Sequence, residues 1–332
     1  KNMLVPMMFL MFALGSVVII AGFAFDHEQF VVAVQAADNH AIPEGGEFPF
    51  RLGIFLAAAA VLFSSFIGFD SIAQAGGEAR NPHLSLPLAI GIAVVTVGTF
   101  YLLFTSAVYH AVPWRFVAEE ALTQDLTAPG LLGYLLPTGW TVAIIAGAAV
   151  ALINDLPAML LAVSRLMFAW AEDGIFPRFV GSVHPTRHTP GVAIVLSGLM
   201  ASAGILGSHL AGDFFLGVDI LVTAMLVNFL LMCASVVTLP HRNPELAAEV
   251  RVLPKRGAQV PLALLGIVLL GTFLLVHVWK DISTPQSAWY LHSTAIWVVV
   301  MLVGSAIYVR EFTRLRHSGV DVQARFSTLP PE

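Results

Sequence analysis

Between positions 64 and 71 the chain reads Ser64-Ser65-Phe66-Ile67-Gly68-Phe69-Asp70-Ser71. The stretch sets hydroxyls, a carboxylic acid and a glycine inside an apolar run of membrane length. Hydrocarbon offers no water to such groups, so a polar break at membrane depth persists only if it is buried in protein or lines a cavity. Gly68 lets the backbone leave the helix. A break leaves carbonyls on one half and amides on the other without helical partners. Amides at a helix N-terminus favour an anion such as a carboxylate, and free carbonyls suit an ammonium group or a small cation. A zwitterion carrying both groups matches both halves. The competing reading is a kink stabilised by its serines, with no ligand.

Other polar residues fall inside apolar runs. A charge near mid-membrane costs at least ~2.5 kcal/mol on the insertion scale, so each asks for a reason. Asn154-Asp155 sits mid-run, just before Pro157. Asp219 and His277 lie nearer the ends of their runs and read as interfacial or structural. The single cysteine, Cys233, reads as a small buried hydrophobe and excludes a disulfide framework. In His184-Pro185-Thr186-Arg187-His188, Pro185 and the loop setting argue against a helical two-histidine metal site.

The elements that carry these residues are membrane helices. Of 332 residues, 58% are hydrophobic and 11% charged, against about 25% charged in soluble domains. Eight spans are predicted, at roughly 3–25, 51–76, 86–111, 131–170, 191–208, 214–239, 260–279 and 288–309. The fourth is too long for one crossing, so an outer, interfacial portion around Gly130–Trp140 and a bend near Pro157 are expected. Thirteen of the sixteen Lys and Arg fall on one side of this topology, and only Arg51, Arg115 and Lys280 on the other. The positive-inside bias makes the first side, with both ends of the chain, cytoplasmic. The loops 26–50 and 112–130 opposite are acidic. The polar, proline-bearing stretch 240–259 reads as a connector, and the basic tail 310–332 as solvated. The whole chain, 1–332, reads as a single transmembrane domain with no soluble module, and the opening Lys1-Asn2 suggests a missing N-terminal portion.

Two blocks of residues resemble the amino acid–polyamine–organocation (APC) superfamily. The first is Phe66-Ile67-Gly68-Phe69-Asp70, then Gly76-Gly77-Glu78-Ala79-Arg80-Asn81-Pro82 and Leu86-Pro87. It is similar to the family's sixth helix. The second is Asn154, then Ser164-Arg165-Leu166-Met167-Phe168-Ala169, Glu172-Asp173-Gly174-Ile175-Phe176-Pro177 and Thr189-Pro190. It is similar to the family's eighth helix and the loop after it. The resemblance implies an all-α polytopic membrane protein of partial LeuT-like fold, its eight helices matching family helices five to twelve. The second inverted repeat would cover about 51–239, with accessory helices at about 260–309 and helix one, the other half of the site, outside this chain.

The resemblance also implies function and site residues. It implies secondary transport of an amino acid or related amine by alternating access across the cytoplasmic (inner) membrane. The polyamine or organocation exchangers of the same fold are the alternative. Ser64, Phe66, Ile67 and Gly68 fall where the family's unwound helix meets substrate, followed by Phe69 and Asp70 as aromatic gate and acid. Asn154, Asp155 and Met159 would face the site from the eighth helix. Arg165 and Glu78 are candidates for gating near the cytoplasmic end, and loop 112–130 for a lid. Two departures stand out. Gly76-Gly77 replaces one acid of the family's usual pair, and Met7–Phe12 lacks the lysine that many members carry in helix five. Coupling to H+, to Na+, or exchange all stay open, as does the oligomeric state. No cofactor, metal or nucleic-acid partner is expected beyond the substrate and the lipid bilayer. An intramembrane aspartyl enzyme is disfavoured, because Ile67-Gly68-Phe69-Asp70 lacks the second glycine of a Gly-x-Gly-Asp signature.

Overall fold

The computed structural model describes residues 4–38, 49–74, 81–121, 126–186, 189–212, 215–250, 252–253, 255–285 and 288–322. Among them the regular structure is helical, without strands. Among the described residues eight helical segments are long and apolar enough to cross a membrane: Val5–Ala24, Leu52–Ala73, Leu84–Ala111, Thr138–Asp173, Gly191–Ala211, Phe215–Arg242, Arg256–Ser283 and Ser293–His317. These are the eight spans expected, and the chain is an all-α polytopic membrane protein. It folds as two compact units, one of Lys1–Pro49 with Gly91–Met159 and one of Phe50–Ile90 with Leu160–Glu332.

The first unit holds α1 (Leu4–Ala24), α2 (His27–Asp38), α6 (Trp114–Glu120), α7 (Ala128–Leu132) and parts of α5 (Pro82–Ala111) and α8 (Thr138–Asp173). α2 starts at a capping box. Asp26 Oδ1 accepts the Gln29 N–H at 2.9 Å, and the Asp26 N–H donates to Gln29 Oε1 at 3.1 Å. The carbonyls that end α1 are met from α5, where His110 Nδ1 lies 3.1 Å from Gly22 O and 3.0 Å from Phe25 O. In return His27 Nε2 lies 3.0 Å from the Tyr109 carbonyl. α1 and α5 come close enough that a Cβ on Gly22 would strike the Ala107 backbone. Phe30 packs edge-on against Phe116 and Tyr134, with centroids 5.1 and 5.8 Å away. These aromatics, with Val34, Val112 and Leu132, form the buried core of this unit. Among its described residues the stretch 112–130 is helical at Trp114–Glu120 and again from Ala128, and it is anchored by the buried Phe116. The outer portion expected before the fourth span is α7, separated from α8 by a turn that ends at Pro137, whose carbonyl accepts the Trp140 N–H at 2.9 Å. α8 itself is 36 residues long, or about 54 Å at 1.5 Å per residue.

The second unit is built around α10 (Phe215–Arg242), which packs against α3 (Leu52–Phe63), α9 (Gly191–Ala211), α12 (Arg256–Ser283) and α13 (Ser293–His317). α4 (Ser71–Gln74) and α11 (Pro244–Glu249) are short. The buried face of α10 carries Val222, Thr223, Met225, Leu226 and Phe229. Pro240 in its last turn has no N–H to donate to Val236 O. Arg256 supplies the missing donor, placing its guanidinium 2.9 Å from Val236 O and 3.1 Å from Val237 O. A smaller core forms where the chain leaves α8, from Met167, Ala171, Val180 and Ala193. The turn there is made by Gly174 at φ +79, which lies against Leu315 of α13.

Candidate functional site

α3 ends at Phe63, and the next three residues tighten into a 3-10 turn, Ser64–Phe66. The buried Ser64 hydroxyl donates to Val61 O at 2.7 Å, competing with the helix ladder at its last turn. Ile67 is then extended, with φ −58 and ψ 145, and Gly68 takes φ +113, a value an L-residue adopts only with strain. The ladder is replaced by a turn. The Ile67 N–H donates to Ser64 O at 3.0 Å, and the Ser71 N–H donates to Gly68 O at 3.2 Å. Asp70 folds back on this turn, and its Oδ1 accepts the Gly68 N–H at 3.2 Å. Among the described residues neither the Ile67 carbonyl nor the Phe69 N–H has a hydrogen-bond partner. The break expected at 64–71 is present, with polar backbone that the helix no longer satisfies.

The break is fixed to α10 by aromatic rings. Phe69 stacks on Phe229 with centroids 5.2 Å apart and planes at 16°, and Phe63 meets the same ring edge-on at 5.9 Å. Such pairs add about 0.5–1.5 kcal/mol each beyond area burial. Phe66, Ile67, Gly68 and Asp70 are half-buried. The arrangement offers a carboxylate, two backbone groups and an apolar wall within one turn of chain.

The α8 candidates belong to the other unit. Asn154 is half-buried, and its Oδ1 is enclosed without a hydrogen-bond partner. Such an atom is costly to leave so. Met159 is half-buried, whereas Asp155 is exposed, as is Pro157, and the helix continues through both. Arg165 is half-buried in the second unit. Glu78 lies outside the described residues, with Gly76-Gly77.

Two polar arrangements join residues that no local sequence pattern pairs. His277 is buried and places Nε2 3.2 Å from the Asp219 carbonyl, which also accepts the Thr223 hydroxyl at 3.0 Å. Both residues stand out in the sequence as span-end polar groups, but their link runs through backbone rather than carboxylate. Asp281, at the end of α12, accepts the Ser293 and Thr294 N–H groups at 3.2 and 2.9 Å and so caps α13 across the intervening loop.

Comparison with known proteins follows the same line. The family model described as amino acid permease matches residues 2–303. The chain belongs to the amino acid permease family. A cationic amino acid transporter 4 of Arabidopsis thaliana, described as vacuolar, is 33% identical over 161 residues, covering 48% of this chain and 26% of that protein. The branched-chain amino acid permease BcaP and the methylthioribose transporter of Bacillus subtilis (strain 168) are each 27% identical over 80% of this chain and 53% of their own lengths. The chain thus spans about a quarter to a half of the relatives it matches.

Proposed function

We propose that this chain is the last helix of the first repeat, the site-bearing second repeat and the accessory helices of a secondary transporter that moves an amino acid or related amine across the cytoplasmic membrane by alternating access. The observation that carries the reading is the interrupted helix at Ser64–Asp70, where a glycine at φ +113 replaces helix with a turn. Polar backbone at membrane depth requires burial or a cavity, and broken helices are where transporters of this build hold substrate. The Ile67 carbonyl would take the substrate ammonium, and Phe66 and Ile67 would wall its side chain. Asn154 is added to the substrate path on the strength of its own unpartnered Oδ1. Asp155, Met159, Arg165 and Glu78 keep the supporting roles that the resemblance assigns them.

Asp70 is the residue on which coupling would turn. A half-buried carboxylate beside the break can carry a proton or hold a sodium ion, and the absence of lysine from Met7–Phe12 removes the usual cationic substitute. A carboxylate there also favours a cationic substrate, which supports an organocation exchanger as the second reading. Both ends of the chain would face the cytoplasm, as thirteen of sixteen Lys and Arg lie on that side. The test is counterflow by the full-length protein in proteoliposomes against amino acids, polyamines and methylthioribose. Exchange of an amino acid supports the principal reading. Exchange of polyamines alone selects the second, and exchange of neither class refutes both.

A further inference from the structure

Arg51 and Lys280, two of the three basic residues on the side opposite the basic loops, have no part in the transport reading. Arg51 immediately precedes α3, and Lys280 lies in the last turn of α12. The two helices pack against each other. At the end marked by these cations an open-sided groove of about 750 Å³ is lined by both helices. Gly53, Ile54 and Ala57 line it from α3, and Leu275, Trp279 and Lys280 from α12. A Cβ on Gly53 would meet only open space. Ile54, Leu275 and Trp279 are 64%, 73% and 77% exposed, so the described residues of this chain leave the slot uncovered.

Two basic side chains mark the mouth, Lys280 in the lining and Arg51 two residues before Gly53. The acid next to Lys280, Asp281, is committed to the α13 N-terminus and stands 3.7 Å from His292. Arg51 and Lys280 are both exposed. Trp279, Trp289 and Tyr290, all exposed, are the aromatic residues expected at headgroup level. The slot therefore runs from that level into the hydrocarbon, with cations at its mouth and apolar side chains below. A soluble anion would leave the slot empty, and an uncharged apolar molecule would leave the cations unmatched.

We propose that this groove is a binding site for an anionic phospholipid, with one acyl chain between α3 and α12 and the headgroup phosphate held by Arg51 and Lys280. A zwitterionic headgroup carries its own ammonium and complements two cations less well. The site depends on α3 and α12 alone and stands independently of the transport reading.

Trp279 provides the probe. The intact protein is placed in nanodiscs containing phosphatidylglycerol or phosphatidylcholine with brominated acyl chains, at equal mole fraction. Quenching of Trp279 is read as the difference between the parent and Trp279→Phe. Brominated phosphatidylglycerol should quench several-fold more strongly than brominated phosphatidylcholine. The Arg51→Gln/Lys280→Gln variant should lose that preference, and Lys255→Gln, just before the other end of α12, should keep it. Native mass spectrometry of the parent gives a second readout, as retained phosphatidylglycerol in excess of phosphatidylcholine. Equal quenching by the two lipids overturns the proposal. So does no quenching by either, which would mean that another segment or a second copy covers the groove.

Discussion

Gly68 and Pro157 each sit in a membrane helix beside a polar pair of candidate residues, and they act on the backbone in opposite ways. At Gly68 the helix stops, the chain extends through Ile67, and a turn closed by Asp70 replaces the ladder. At Pro157 the helix runs on from Thr138 to Asp173. Proline removes one donor and crowds one carbonyl, which a long helix can absorb. A glycine at positive φ changes the chain direction, and no neighbouring ladder can bridge that. The polar content of the two regions is similar, but Pro157 frees a single carbonyl within a continuing helix, whereas at Gly68 the ladder itself ends.

Substitutions can break or sharpen this contrast. The largest effect is expected from Gly68→Val. A branched side chain at φ +113 adds strain of about 1–3 kcal/mol, and relieving it would re-form or misdirect the helix. Uptake by the full-length carrier should fall on the order of a hundredfold while membrane insertion is retained. Near-normal uptake would mean that the break is incidental.

Asp70→Asn comes next. The amide oxygen can still accept the Gly68 N–H, so the turn should survive and only the charge is lost. Gradient-driven accumulation should drop about tenfold, with counterflow continuing. Unchanged accumulation across pH would leave Asp70 as a turn residue. Asn154→Ala should weaken apparent affinity about fivefold, the worth of one hydrogen bond near 1 kcal/mol, read as a raised half-saturation concentration. An unaltered value removes Asn154 from the substrate path. Pro157→Ala should change uptake by no more than about twofold, since restoring one helical bond leaves the course of α8 intact. A loss comparable to that of Gly68→Val would erase the distinction between the two regions.

The parts of this structure that are periodic or punctuated were legible in the sequence. Each of the eight apolar runs holds a membrane-length helical segment because each is long and apolar enough to cross, the second of them interrupted at Ser64–Asp70. The break could be placed because Gly68 stands among serines and an acid within such a run. The start of α8 was legible only approximately, since Pro137 and a short turn divide the expected fourth span into α7 and α8. Asn154 and Asp155 are neighbours in sequence but lie about 100° apart around a helix of 3.6 residues per turn, and only Asn154 turns inward. The carbonyl freed by Pro240 is met by Arg256, and His277 reaches the Asp219 carbonyl across 58 positions. Pairings of that kind follow from how helices pack, and no local pattern announces them.

The claim that the Ser64–Asp70 break meets substrate can be tested at Phe66, whose ring is half-buried there. In the full-length carrier with Cys233→Ala, Phe66→Cys would be alkylated by a small water-soluble thiol reagent, with and without the amino acid found by counterflow. Saturating substrate should slow labelling of Cys at this position at least severalfold. Labelling at position 66 that ignores a substrate the carrier demonstrably exchanges would contradict it.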